Sequence, residues 1–237
     1  MLYWEYYLMG IIVLPGIIFA LYAQAKVSSA YANYSKVLGA KGFTGEQVVR
    51  KMLEANGIND VEIARINGEL TDNYNPRTKV ISLSNKVYSG STIADLGVAA
   101  HECGHAIQHA KNYAPMQFRN FVAVATNISS KLLWPLVAIG LFLGFAVNSP
   151  YGKIVMWSGI IIFSLSFLFS LITMPVELNA SKRALLALVE IDALDEMEVV
   201  GARAVLNAAA LTYIASVVVS LLELLRFILI FARHNDD

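Results

Sequence analysis

The sequence predicts a mainly helical α+β chain. Four transmembrane helices carry a small cytoplasmic domain, itself made of a small antiparallel sheet and a helix rich in histidine. Three observations predict this. Charged residues make up 15% of the 237, against about 25% in soluble domains, while 57% are hydrophobic. The apolar residues gather into four long runs. Between the first and second runs lies a polar stretch that holds 12 of the 18 basic residues.

The first run, Tyr6 to Ala25, carries no charge and is long enough to cross a bilayer core, which needs about 20 apolar residues. Its flank, Met1 to Glu5, lacks Lys and Arg, and no A-x-A-like site follows, so the run reads as an uncleaved anchor. Lys26, Lys36 and Lys41 follow it, which places residues 26–131 in the cytoplasm and the N-terminus outside. Val27 to Leu38 keeps helical spacing and continues the first span. Thr44 with Gln47 three later predicts a capping box for a helix from Gly45 to Asn56, closed by Gly57. Val61 to Ile66 and Lys79 to Ser84 alternate as strands, and the intervening NGELTDNYNPRTK has the composition of turns.

Ile93 to Lys111 then reads as a helix. The second span is Leu132 to Val147, with residues 148–153 as a short outer loop, and the third is Ile154 to Met174. The fourth, Ala208 to Phe231, is interrupted by Glu223 and Arg226, which share a helix face and so predict a pair that packs helices together. The segments are therefore 1–25 as anchor, 26–131 as cytoplasmic region, 132–174 as membrane hairpin, 175–207 as a second cytoplasmic segment, and 208–237 as last span and tail.

Composition also excludes functions. A net charge of zero gives no electrostatic pull on nucleic acid. Cys103, the single cysteine, rules out an internal disulfide and a zinc site built on two or more cysteines. The chemistry lies in GVAAHECGHAIQHAKN, residues 97–112. On a helix, His101 and His105 lie on one face about 6 Å apart, so both can reach one ion. Glu102 is turned away from that face and suits the role of base for an ion-activated water, as in H-E-x-x-H enzymes. His109 would lie about 12 Å from His101 and cannot bind the same ion. A third ligand must come from elsewhere, and Glu177 is the candidate. It follows the third span on the same predicted side of the membrane, and a kink at Pro175 would aim it at the two histidines.

The blocks LTDNYNPRTKVISLSNKVYSGSTIADLGVAAHECGHAIQHAKNYAP, MPVELNASKRAL and GARAVLNAAALTY together resemble the YugP-like neutral zinc metallopeptidases of bacterial membranes, over about residues 26–225. That family is gluzincin-like. Asn179 stands where many relatives carry Asp, and Ser181 where the CAAX-processing relatives do. The resemblance implies a zincin-like domain with one Zn2+ per chain, held by His101, His105 and Glu177, and Glu102 as catalytic acid and base. It implies a peptidase of the bacterial inner membrane, while the four apolar runs and the lysines after the first make the chain multi-pass with its site on the cytoplasmic side. The expected partners are a protein or peptide substrate and membrane lipid, with a membrane partner protein or a second copy of the chain left open. Substrate is expected along Lys79, Val80, Ile81, Ser82 and Leu83, taken as a sheet edge. Arg183, Arg203, Tyr213 and His109 are the candidate donors to the oxyanion. The main rival is a catalytically inactive zinc-binding membrane adaptor, against which Glu102 argues, since a structural site needs no base.

Overall fold

The computed structural model describes residues 10–126, 131 and 150–235. Its elements run α1 (Leu14–Tyr34), α2 (Gly45–Ala55), β1 (Glu62–Ile66), β2 (Asn73–Asn75), β3 (Val80–Ser84), α3 (Asn85–Ser89), α4 (Ile93–Ala110), α5 (Pro150–Glu190) and α6 (Glu196–Asn235). Residues 114–126 add a further helical stretch. The architecture is mainly helical α+β with one small sheet. Two compact units share the chain. One comprises Ala23–Gln117 and Pro175–Thr212, and the other Met1–Tyr22, Phe118–Met174 and Tyr213–Asp237.

The first of these units contains the sheet and α4. Helix α2 begins as its sequence predicts, with the Thr44 side chain accepting from the Gln47 amide and the Gln47 side chain accepting from the Thr44 amide. Gly57, at φ +68°, ends it in the left-handed region that glycine adopts without penalty. Helices α2 and α4 face each other through Val48, Val49, Met52 and Leu53 on one side and Leu96, Ala99, Ala100 and Cys103 on the other. All are buried, as are Ile81 and Leu83 on alternate positions of β3. Fully burying side chains of this size is worth about 1.5–3 kcal/mol each, so this cluster is what holds α4 in place.

The sheet differs from the expected antiparallel one. Its order is β1-β3-β2, with β1 parallel to β3 and β2 antiparallel to it. The turn-rich segment hides a strand. Tyr74 is buried between exposed Asn73 and Asn75, and the Asn75 side chain accepts from the amides of Arg77 and Thr78 to close the hairpin. Inserting β2 makes the connection from β1 to β3 about a dozen residues long, which is the length a parallel pairing needs. Strand β3 is consequently the central strand and not an edge, and Lys79 precedes it, at φ +56°. The expectation of a free edge along residues 79–83 is thereby corrected.

In the other unit, α1 and α6 come close at Gly16, where a Cβ would lie 3.0 Å from Leu222 Cδ1. Phe163 on α5 stacks on Phe227 of α6 with ring centroids 4.3 Å apart, and Gly159 leaves room for that ring. Glu223 and Arg226 pair at 2.6 Å, one turn apart on α6.

Among the described residues two helices, Trp157–Glu190 and Glu196–Ile230, are long and apolar enough to cross a membrane, where the sequence predicts four spans. Residues 6–9 of the first run and the whole second run, 132–147, lie outside the described residues. What is described of the first run continues into α1, which turns polar from Lys26 through Ser28, Ser29 and Asn33. The two long helices extend over about 50 Å each, at 1.5 Å per residue, well beyond the roughly 30 Å of a bilayer core. Each therefore has turns to spare for the unit that holds the histidines. Helix α5 continues through Pro175, which lies inside its 41 residues.

Candidate metal centre

Helix α4 is anchored at its start by Thr92, whose hydroxyl donates to Asp95 Oδ2 at 2.6 Å and accepts from the Asp95 amide. About three turns on, its surface is bare at Gly104. A Cβ there would lie 2.5 Å from the Ala180 carbonyl oxygen and 3.1 Å from its carbon. Glycine at 104 thus lets the α5 backbone at Ala180 lie directly against α4, and Glu177 enters the histidine face.

Glu177 Oε2 lies 3.1 Å from His101 Nε2 and 3.3 Å from His105 Nε2. The three ligand atoms all fall within 4.8 Å of one another, and His105 and Glu177 are buried. The imidazoles stand nearly perpendicular, at 83°, with centroids 4.8 Å apart. Each ring is held from behind. His101 Nδ1 is hydrogen-bonded to Ser181 Oγ at 3.1 Å, and His105 Nδ1 to Gln108 Oε1 at 3.0 Å. Both Nε2 atoms consequently turn to the carboxylate.

These residues fit zinc. Two imidazole nitrogens and one carboxylate oxygen converging on a point form the donor set of a catalytic site that keeps a fourth position open. Backing of the second ring nitrogen is likewise what fixes a ligand's orientation. Among the described residues, this is the one group of three or more such side chains able to hold an ion.

Glu102 follows His101 on α4 and retains some exposed surface. Protein packs closely enough around its carboxyl that desolvation pushes it up to about 7. Neighbouring His101 pulls the other way, the negative charges of Glu177 and Asp72 push up, and a backbone hydrogen bond from Tyr74 pulls down. Strand β2 and the turn before it therefore border Glu102. Asp72 is fixed there by the Ser84 amide, at 2.7 Å, and the Ser84 hydroxyl, at 3.2 Å.

The expected oxyanion donors are dispersed. His109 Nδ1 lies 2.7 Å from the Tyr74 hydroxyl. Arg183 Nε donates to Asn179 Oδ1 at 2.7 Å and its guanidinium stands over Tyr113. Arg203 is exposed on α6, and Tyr213 belongs to the other unit. Sequence reasoning missed two contributors. Gln108 reads only as a polar flank of the motif, although its place three residues after His105 puts it within reach of that ring. Asp72 has no local signal, since its nearness to Glu102 arises from the hairpin.

Comparison with known proteins identifies the family. A family model described as "Putative neutral zinc metallopeptidase" matches residues 9–232. A relative from Bacillus subtilis (strain 168), titled "Putative membrane protease YugP", is 41% identical over 216 residues, covering 91% of this chain and 93% of the relative. No solved structure matches. A model match spanning nearly the whole chain, with His101 and His105 set against Glu177 inside it, leads to one conclusion: the chain belongs to this zinc metallopeptidase family.

Proposed function

We propose that the chain is a membrane-embedded zinc peptidase that hydrolyses peptide bonds of protein or peptide substrates. One observation carries the reading: His101 Nε2, His105 Nε2 and Glu177 Oε2 converge within 4.8 Å, with Glu102 beside the first histidine. Zinc, when bound, supplies a Lewis acid that polarises a carbonyl and lowers the pKa of water towards about 7.

The chain's own residues do the rest. His101, His105 and Glu177 hold the ion, one per chain. Glu102 takes the proton of the attacking water and returns it to the leaving amine. Desolvation by the surrounding protein raises its proton affinity above that of an ordinary carboxylate, which favours taking up the water's proton. The oxyanion draws a donor from His109, Arg183 or Arg203, which belong to the same unit as the three converging side chains. Substrate lies extended beside β2, which borders Glu102 through the Tyr74 backbone, whereas both sides of β3 are occupied. The chain is multi-pass in a bacterial inner membrane, with this unit in the cytoplasm. The lysines after the first apolar run support that orientation.

The test is Glu102→Gln in the full-length protein. Zinc should remain near one per chain, and hydrolysis should fall by about 10²–10⁴-fold, the contribution of a positioned acid–base group. If zinc were lost with this change, Glu102 would be a ligand and the roles would have to be redrawn.

A further inference from the structure

Gln108 is fully buried, at 0% exposure, in a chain whose other buried side chains are almost all apolar. A primary amide in such a place must satisfy both ends, and it does. Its Nε2 lies 2.8 Å from the Val176 carbonyl and 3.0 Å from Asn179 Oδ1, and its Oε1 lies 3.0 Å from His105 Nδ1.

The orientation of the amide follows from chemistry. A backbone carbonyl can only accept, so the NH2 end must face Val176. Asn179 Oδ1 is held as an acceptor by Arg183 Nε at 2.7 Å, which agrees. The oxygen end must then face His105, and His105 Nδ1 must carry a hydrogen to meet it. That leaves the lone pair of His105 on Nε2, the atom directed at Glu177.

From this chain of bonds we infer that Gln108 is the positioning residue of the metal centre: it holds His105 in the tautomer that can bind an ion and takes its own orientation from the Val176 carbonyl of α5. The inference rests on the metal-site reading above. It has a further consequence. Helix α5 supplies one ligand, Glu177, and also the groups that orient both histidines, Ser181 for His101 and, through Gln108, Val176 and Asn179 for His105. The four groups occupy six successive residues, so docking of this segment on α4 completes ligand set and ring orientation in one step.

Two variants of the full-length protein test the inference, Gln108→Leu and Gln108→Glu. The readouts are zinc affinity by chelator competition and the visible absorption of the cobalt-substituted protein, which reports ligand geometry directly. Gln108→Leu removes the acceptor from His105 and should weaken zinc binding about 10–100-fold, the usual loss when such a hydrogen bond is removed. It should also alter the cobalt bands. Gln108→Glu keeps an oxygen against His105 and should bind at least several-fold more tightly than the Leu variant. A role in packing alone gives the opposite order, because a carboxylate set against two oxygens is worse tolerated than leucine.

Leucine at 108 with wild-type affinity and an unchanged cobalt spectrum would overturn the inference and leave the metal site standing. Should Gln108→Leu fail to fold, Gln108→Glu decides against wild type: recovery of most of the affinity supports the inference, and a loss beyond a hundredfold overturns it. Wild-type protein that binds no zinc, or binds it equally without His101, overturns the site reading and this inference together.

Discussion

Glu177 is the candidate ligand that does not belong to the histidine helix, and the proposed centre depends on it for that reason. His101 and His105 are tied to each other by helical spacing alone, whereas the carboxylate arrives from a residue 72 positions beyond His105. Two imidazoles are too few for a catalytic zinc, and a carboxylate also offsets the ion's charge. Glu177→Ala should therefore weaken zinc by more than the roughly 10–100-fold that follows loss of a supporting hydrogen bond, and should abolish hydrolysis. Glu177→Gln should be nearly as harmful, since a neutral amide is a poor ligand. Glu190→Ala, on the exposed end of the same helix, is the control. Wild-type zinc content in Glu177→Ala, measured by metal analysis of purified protein, would place the third ligand elsewhere. At this scale the sequence was legible for the two histidines, whose spacing puts them on one face of α4. It was silent on Asp72, and it showed Gln108 without its partners.

Among the elements, the contact of α4 with α5 governs the site, and Gly104 permits it. A methyl group at 104 would meet the backbone of Ala180, which cannot swing aside as a side chain can. Gly104→Ala should cost about 1–3 kcal/mol, the range for overfilling a packed core. Because Ala180 is one turn from Glu177, the same change should also weaken zinc by at least tenfold. Thermal melting of metal-free protein and chelator competition measure the two effects separately. An unchanged melting temperature together with unchanged affinity would mean that the helices do not meet here. Helix α2 offers a local counterpart. Thr44→Ala removes one side of a reciprocal cap and should lower stability by about 1 kcal/mol while leaving zinc affinity alone, since the cap is far from the ligands in the chain and acts only on its own first turn.

Across the whole molecule, the question is on which side of the membrane the histidine unit lies. Its residues come from two separate stretches, 23–117 and 175–212, that form one compact unit, so labels in the first stretch read the side on which the unit lies. Cysteines introduced at positions 41 and 70 should resist an impermeant reagent in intact cells, and one at 150 should react. Native Cys103 is buried in the core and should contribute little background. The reverse labelling pattern would put the site outside the cell and change the class of substrate available to it.

How much of this was present in the sequence depends on the distance over which each feature is determined. The cap of α2, the turn glycine at 57 and the two histidines on one face of α4 are set within four residues, and the sequence alone determined them. The two longest apolar helices were legible for a similar reason, because composition over about 20 residues decides them. The sheet was not. A three-residue strand carries too little pattern to stand out from turns, and β2 exists because β3 offers it a partner and the core takes Tyr74. Its insertion made β1 and β3 parallel and moved β3 to the centre. Only the tertiary structure could bring Gln108 to Val176, Ser181 to His101 and Asp72 near Glu102, because each needs two distant segments packed at van der Waals contact. The sequence determined which groups can bind an ion. The packing of α5 against Gly104 decided how those groups are held.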